Sequence, residues 1–149
     1  MKKKRIPRPI IPDMMAYIKQ GELPATTAET AVRRFRVANH GAMDSLIKGK
    51  GTRQDTVALG HMLITSKALA VHDIGWNWIK EIQQAEDALK AIQTRGGRYI
   101  LRATEITSLN HAIEVHDEQL RNCTVKELED AINAAKNAIR HNHEVKELA

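Results

Sequence analysis

The sequence predicts an all-α protein: an antiparallel bundle of about five helices preceded by an extended basic N-terminal arm. Three observations favour this fold class. All four prolines lie within the first 24 residues, so positions 25–149 lack the residue that most strongly breaks helices. Aromatic residues make up only 3% of the chain, which is few for a sheet protein. Apolar residues in positions 25–149 recur at spacings of three and four, the period of one helical face.

Length and charge divide the chain into two parts. With 149 residues it has the size of one domain, and we assign 1–24 to the arm and 25–149 to the helical bundle domain. The net charge is +5, and five arm residues supply all of it: Lys2, Lys3, Lys4, Arg5 and Arg8. Removing these five from the 23 basic residues leaves 18, equal to the 18 acidic residues. The bundle is therefore formally neutral, which argues against a globally basic nucleic-acid-binding domain.

The arm is expected to be extended over residues 1–12, because its prolines block helix formation. Asp13 can then cap one short helix of sequence MMAYIKQ, which Gly21 would end. The basic start is followed by prolines where a signal peptide needs an apolar stretch, and no window of the chain is apolar enough to span a membrane. A single cysteine suits a reducing compartment. We therefore expect a cytoplasmic protein.

The first two predicted helices begin at capping motifs. Thr26 to Glu29 opens the first, whose expected buried face carries Val32, Phe35 and a row of alanines. Gly41 leaves two alternatives: one continuous helix, or two shorter pieces. The second helix starts at Thr52, with Gly75 placed as its left-handed terminus. Its expected buried face carries Leu59, Met62, Leu63, Ser66, Leu69, Ala70 and Ile74.

The remaining three helices are predicted from similar patterns. The third has a coiled-coil-like seam and ends at Gly96-Gly97; the seam residues are Trp78, Ile82, Ala85, Leu89 and Ile92. Residues 98–102 are either a strand-like connector or the first turn of the fourth helix. The expected face of the fourth helix carries Ile106, Leu109, Ile113, His116 and Leu120. A capping box from Thr124 to Glu127 starts the fifth.

The fourth helix also carries the strongest candidate for chemistry, formed by His111, Glu114, His116 and Asp117. His111 and Glu114 are one turn apart, but the two histidines are five residues apart and point in different directions. Zinc protease helices need histidines four apart, and di-iron bundles need Glu-x-x-His on two helices. We therefore expect His116 to be a hydrogen-bonded core or interface residue, and we predict no catalytic residue, metal or cofactor.

Two further features have competing interpretations. Gly49-Lys50-Gly51-Thr52 resembles the end of a phosphate-binding loop, but the required spacing and preceding strand are missing, so a helix-boundary loop is favoured. Cys123 precedes a helix N-terminus, where its pKa could be lowered, although a buried, unreactive cysteine is the favoured interpretation.

Candidate binding residues lie outside the fourth helix. Arg33, Arg34 and Arg36 surround Phe35, which is expected to point toward the core. These arginines could act with the arm on a phosphate backbone or an acidic protein surface, or form an ordinary solvated face. Trp76 is either an exposed anchor for a partner or part of the core at the turn between the second and third helices.

Several short segments of residues 40–140 carry a resemblance to known proteins: Thr52-Arg53, Ile74-Gly75, Tyr99-Ile100-Leu101-Arg102, Glu114 to Leu120, and Cys123-Thr124. They resemble a group of small helical proteins encoded in phages and prophages of Gram-negative bacteria. The resemblance carries no catalytic residues. It implies an accessory phage protein that acts in the bacterial cytoplasm by binding a host or defence component.

Three functional hypotheses follow, of which the least favoured is an enzyme or metal protein centred on His111 and His116 of the fourth helix. The first is a non-enzymatic protein that binds a protein partner through helix faces, as a host-modulating or counter-defence inhibitor, and that self-associates into a homo-oligomer. The seam of the third helix suits such helix-to-helix contacts. The second is a nucleic-acid-binding accessory protein that uses the basic arm and the Arg33/Arg34/Arg36 cluster.

Overall fold

A computed structural model of the chain describes the backbone of residues 29–148 and the side chains of residues 31–141. This part consists of five helices of 17 to 24 residues and contains no strand, which confirms the all-α prediction. The arm, with its five basic residues, lies outside the described residues. The helices are α1 (Glu29–Ile47), α2 (Arg53–Val71), α3 (Ile79–Arg95), α4 (Ala103–Asn122) and α5 (Val125–Leu148), with a 3-10 turn at Trp76–Trp78. None of these described helices is long and apolar enough to cross a membrane.

The second helix, α2, lies at the centre of the bundle and packs against all four others. It runs antiparallel to α3, since Gly60 faces Leu89 while Lys67, further along α2, pairs with Glu86, which lies earlier in α3. The last helix, α5, returns to pack mainly on α2. As a result, α1 and α5 both border α2, and a cavity lies between them.

Three apolar clusters form the core. The largest contains residues of all four helices from α1 through α4. Burial of each Leu or Ile in this cluster stabilises the fold by about 1.5–3 kcal/mol. Its buried members are Ala42, Met43, Leu46, Leu59, Met62, Leu63, Ala85, Leu89, Ile92, Leu109, Ala112 and Ile113. A second cluster packs α5 against α2 and α4, and it includes Leu69, Leu120, Cys123 and Leu128. A third, small cluster packs Ile82 against Val115 below the 3-10 turn.

The first helix differs from its predicted packing in one respect. It continues through Gly41 without a break, which decides between the two alternatives for this region. However, Phe35 does not point into the core: 39% of it is exposed, and Ala31 and Ala38 are exposed as well. Val32 and Ala42 of the predicted face are buried, and Met43 and Leu46 join them in the core. Burying these two larger side chains gains more free energy than burying alanines, so the helix turns Phe35 and Ala38 toward the surface.

The third-helix seam is used inside the molecule. Ile82, Ala85, Leu89 and Ile92 are all buried at 5% exposure or less, against α2 and α4. Because these side chains are already covered by the same chain, the prediction that this seam serves a partner is wrong. Trp78, its first predicted member, lies in the 3-10 turn before the helix and is half-buried.

The predicted boundaries between helices hold with small shifts. Gly75 is left-handed, with φ of +87°, but α2 ends earlier, at Val71. A Cβ at Gly75 would lie 3.0 Å from the Trp78 ring and 3.1 Å from the Gln119 amide, so these close contacts and the positive φ would strain any other residue here. At the start of α5, Thr124 Oγ1 accepts from the Glu127 amide while the Glu127 carboxylate accepts from the Thr124 amide, which confirms that capping box.

Residues 98–102 form an irregular connector, and α4 begins at Ala103. An ion pair holds this connector in place. The Arg95 guanidinium donates to the Glu105 carboxylate at 2.8 Å and also to the Ile100 carbonyl at 2.9 Å. The hydrogen bonds from Arg95 lower the pKa of Glu105 below its usual range. One arginine therefore ties the end of α3 to both the connector and the first turn of α4.

Candidate binding site

A cavity of about 200 Å³ lies between α1, α2 and α5, above one face of α4. Its lower part is formed by buried side chains and its rim by exposed ones, among them Phe35 and His61, so it opens to solvent. Most of its surface is apolar. The lining residues are Phe35, Ala38, Asn39, Ala58, His61, Met62, Thr65, His116, Leu128 and Ile132. We call it the His116 cavity, after the residue that α4 contributes.

His116 is the buried polar group of this cavity. Only 3% of the residue is exposed, as expected from its place on the apolar face of α4. The expected hydrogen bond is missing at one nitrogen, because the buried Nδ1 has no partner among the described residues. Burial disfavours the charged imidazolium and lowers the pKa of His116 to about 4, so the ring is neutral at pH 7. A neutral ring can both donate and accept one hydrogen bond.

Next to it, Asp117 connects α4 to α1. Its Oδ2 lies 2.9 Å from His40 Nε2, and its Oδ1 lies 3.5 Å from Arg36 Nε. The carboxylate is largely buried, while side chains of both partners are about half exposed. This arrangement holds the middle of α1 onto α4, and it occupies one of the three arginines that the sequence predicts as a binding cluster.

The four polar residues predicted as a cluster on α4 separate onto two sides of the helix. His111 and Glu114 are exposed, whereas His116 and Asp117 are buried. This separation follows from helical geometry, since residues 111 and 116 differ by about 140° around the axis. Within residues 31–141, no group of three or more His, Cys, Asp or Glu side chains lies close enough to hold a metal ion.

A buried amide network supports this face of α4. Gln119, fully buried, donates from Nε2 to the carbonyls of Ser66 and Ile74, at 3.0 and 2.8 Å, and accepts from Ser66 Oγ at 2.6 Å. Sequence reasoning placed Ser66 on the buried face but did not predict its partner. Gln119 lies three residues after His116, and residues at this spacing are neighbours on the surface of a helix. The spacing alone could therefore have indicated that Gln119 shares the buried face of His116.

The three predicted arginines are all exposed. Arg36 differs from Arg33 and Arg34 because it also contacts Asp117. Phe35, which was expected to lie in the core, forms part of the cavity rim instead. Val37 is 63% exposed, so this half of α1 combines basic and apolar groups on its surface.

Trp76 is exposed, at 54%, which decides between its two predicted positions. It lies in the 3-10 turn, and Val71 at the end of α2 is 62% exposed. The corner between α2 and α3 therefore presents a tryptophan and a valine to solvent.

The two remaining candidates have structural explanations. In the segment that resembles the end of a phosphate-binding loop, the Asp55 carboxylate accepts a hydrogen bond from the Thr52 backbone amide at 2.8 Å. A negative charge therefore already lies at the start of α2, where it would compete with a phosphate group. Cys123 is 1% exposed, and burial raises the pKa of its thiol to about 11. The favoured interpretation of a buried cysteine is therefore confirmed, and the alternative of a lowered pKa is not, because burial disfavours the charged thiolate.

Comparison with known proteins finds no match: no protein-family model, curated protein or solved structure matches this chain.

Proposed function

We propose that this chain is a non-enzymatic binding protein that engages a protein partner through the N-terminal half of α1. The supporting observation is a run of six consecutive exposed residues, 33–38, inside a regular helix. A helix completes one turn in 3.6 residues, so six exposed positions in a row point in all directions around its axis. This part of α1 is covered far less than an ordinary bundle helix, which buries a continuous stripe.

The chemistry of this segment suits a protein partner. Phe35 and Val37 are 39% and 63% exposed, and Arg33 and Arg34 flank them. Arginine and aromatic residues are enriched among interface residues that contribute most to binding energy. We call residues 33–37 the α1 docking surface, and the partner it fits has an apolar patch bordered by carboxylates.

The class of partner follows from the resemblance to small phage and prophage proteins. On that basis we propose that the partner is a bacterial host or defence component and that binding takes place in the bacterial cytoplasm. Host modulation or inhibition of a defence system is the corresponding biological role.

A matched pair of substitutions tests the docking surface. Val37→Glu places a carboxylate on it, whereas Val71→Glu makes the same change at a valine of nearly equal exposure on the α2–α3 corner. The tagged full chain is used to capture partners from a bacterial lysate, and the captured protein is purified and titrated calorimetrically against each variant. We expect Val37→Glu to weaken binding at least about tenfold, or 1.4 kcal/mol, and Val71→Glu to leave it unchanged.

Two results would contradict the proposal. If Val71→Glu weakens binding and Val37→Glu does not, the interface lies near Trp76 rather than on α1. If the chain captures only itself, light scattering will show a homo-oligomer, and the partner is a second copy.

The second candidate, nucleic-acid binding, is favoured by two exposed neighbouring arginines, Arg33 and Arg34, in a chain whose net positive charge lies in residues 2–8. It predicts binding to fluorescent DNA or RNA that weakens steeply with salt. Replacing both arginines with alanine should reduce the slope of log K against log salt by about 2, because each phosphate contact contributes about 0.9. Salt-insensitive binding, or none at low salt, excludes this candidate.

A further inference from the structure

The His116 cavity has the size of one aromatic side chain and is open to solvent. A cavity of about 150 Å³ in another protein binds benzene, and the His116 cavity measures about 200 Å³. Met62 and Leu128 line it and are buried, whereas Phe35 and Ala38 line it and are exposed. Removing apolar surface from water is favourable, so an apolar side chain that enters the cavity is stabilised there.

The polar part of the lining suits a side chain that is not wholly apolar. Asn39 is 6% exposed, and an amide side chain can both donate and accept hydrogen bonds. The Thr65 hydroxyl donates to the His61 carbonyl at 2.9 Å, and its oxygen is still able to accept. Tyrosine combines a large apolar ring with one hydroxyl that usually finds a partner when it is buried, and it therefore matches such a lining.

The sequence supplies a tyrosine shortly before α1. Tyr17 is the only aromatic residue in positions 1–28. Met14, Tyr17 and Ile18 have helical spacing, so they share one face of the short helix expected for residues 14–20, which lie outside the described residues. A helix of this length is not stable by itself in water, so it needs an apolar surface to pack against.

The length of chain before α1 brings this segment within reach of the cavity. Tyr17 precedes Glu29, the first residue of α1, by 12 positions, and an extended chain covers up to about 40 Å over that number. Phe35 lies only about 9 Å along the helix from Glu29. Gly21 and Pro24 disfavour one continuous helix that would carry the tyrosine away from the bundle, so the chain can turn back onto α1.

We infer that the His116 cavity is the docking site for the chain's own residues 14–18, and that the Tyr17 ring fills it beside Phe35. The inference goes beyond the proposed function and does not depend on it. Phe35 also belongs to the α1 docking surface, but Val37 of that surface lies about 160° around the helix axis from Phe35. A segment docked in the cavity therefore leaves that side of α1 open to a partner.

The first experiment detects the contact directly in the full chain. NMR follows nuclear Overhauser effects from the Tyr17 ring to the methyl groups of Met62 and Leu128, with Tyr17→Phe and Met62→Leu used for assignment. We expect contact with at least one of the two methyl-bearing residues within a single copy of the chain. A mixture of labelled and unlabelled chains distinguishes contacts between copies. No contact with either residue, or contact only between copies, would overturn the inference, and the second result would make another copy the occupant.

A double-mutant cycle then tests the cavity in urea titrations of the full chain. Tyr17→Ala should raise the equilibrium constant for unfolding at least about fivefold, whereas Ile6→Ala, a matched apolar change earlier in the arm, should alter it less than about twofold. Ala58→Leu fills part of the cavity, and in that background the effect of Tyr17→Ala should be reduced. Ala91→Leu, the same change at an exposed alanine of α3, should preserve the full effect. A smaller effect of Tyr17→Ala in the wild-type chain, or one that is not reduced by Ala58→Leu, refutes the assignment.

Discussion

The burial of His116 makes a specific prediction about acid stability. The folded protein holds this imidazole neutral, with a pKa of about 4, whereas an unfolded chain has the ordinary value of 6.5. Below pH 6.5 the unfolded chain therefore binds a proton that the folded chain does not, and stability falls with pH. The contribution is fully present above about pH 6.5 and is lost as the pH falls toward 4.

The magnitude follows from the difference between the two pKa values. A gap of about 2.5 units, at 1.36 kcal/mol per unit, limits the loss to about 3.4 kcal/mol. Between neutral pH and pH 5 about 2 kcal/mol should be lost, and by pH 4 about 3 kcal/mol. For a domain whose total stability is about 5–15 kcal/mol, such a loss is easily measured.

The assay is urea unfolding followed by circular dichroism, at several pH values from about 7.5 to 4. Other ionisable side chains lie near His116, namely Asp117 on α4, His40 on α1 and His61 on α2, so wild type alone is not informative. His116→Phe lacks the titrating ring and retains these neighbours. The difference between the two pH profiles isolates the contribution of His116, and His116→Gln provides a second, polar comparison.

The expected result is a wild-type profile that falls more steeply than that of either variant, by about 2 kcal/mol between pH 7 and pH 5. If the profiles of wild type and His116→Phe run parallel across this range, His116 is not buried in neutral form. The description of the cavity base would then be incorrect.

Three further predictions concern the core. Gln119→Leu removes every bond of the buried amide network and should lower the free energy of unfolding by about 2–4 kcal/mol in urea titrations, while Ser66→Ala should cost less, about 1 kcal/mol. Ile92→Ala should cost about 2–5 kcal/mol by the same assay because Ile92 is fully buried, whereas Ile100→Ala, at a residue 72% exposed, should cost under about 0.5 kcal/mol. Cys123 should react with iodoacetamide only on unfolding, as followed by mass spectrometry, and rapid labelling of the native protein would show that its burial is wrong.

The elements of this fold could be predicted because their causes are local. The capping box at Thr124 depends on groups three residues apart, and the glycines at 96 and 97 end a helix through their own left-handed backbone. Most of the buried face predicted for α2 is confirmed, although Ile74 lies beyond the end of the helix and is only partly buried. Leu59, Leu63 and Leu69 are among the confirmed residues, all at 1% exposure or less.

The candidate site could not be predicted because its contacts join residues far apart in the chain. His40 and Asp117 are separated by 77 positions, and Ser66 and Gln119 by 53. The three-and-four pattern of one helix does not indicate which other helix packs against its apolar face. The orientation of Phe35 was mispredicted for the same reason: the spacing identifies a stripe, but the competition with Met43 and Leu46 is decided by the helices that α1 meets.

Local chemistry in the chain was enough to specify α-helices, their ends and most of their inward faces, since propensity, capping and periodicity act over a few residues. The packing of those helices then created the features that matter for binding. The contacts among α1, α2 and α5 leave a cavity beside the buried imidazole of His116, and the packing of α1 leaves arginines and apolar groups of residues 33–37 exposed. Both the cavity and the exposed surface of α1 depend on how the helices pack against one another, so they exist only in the folded chain.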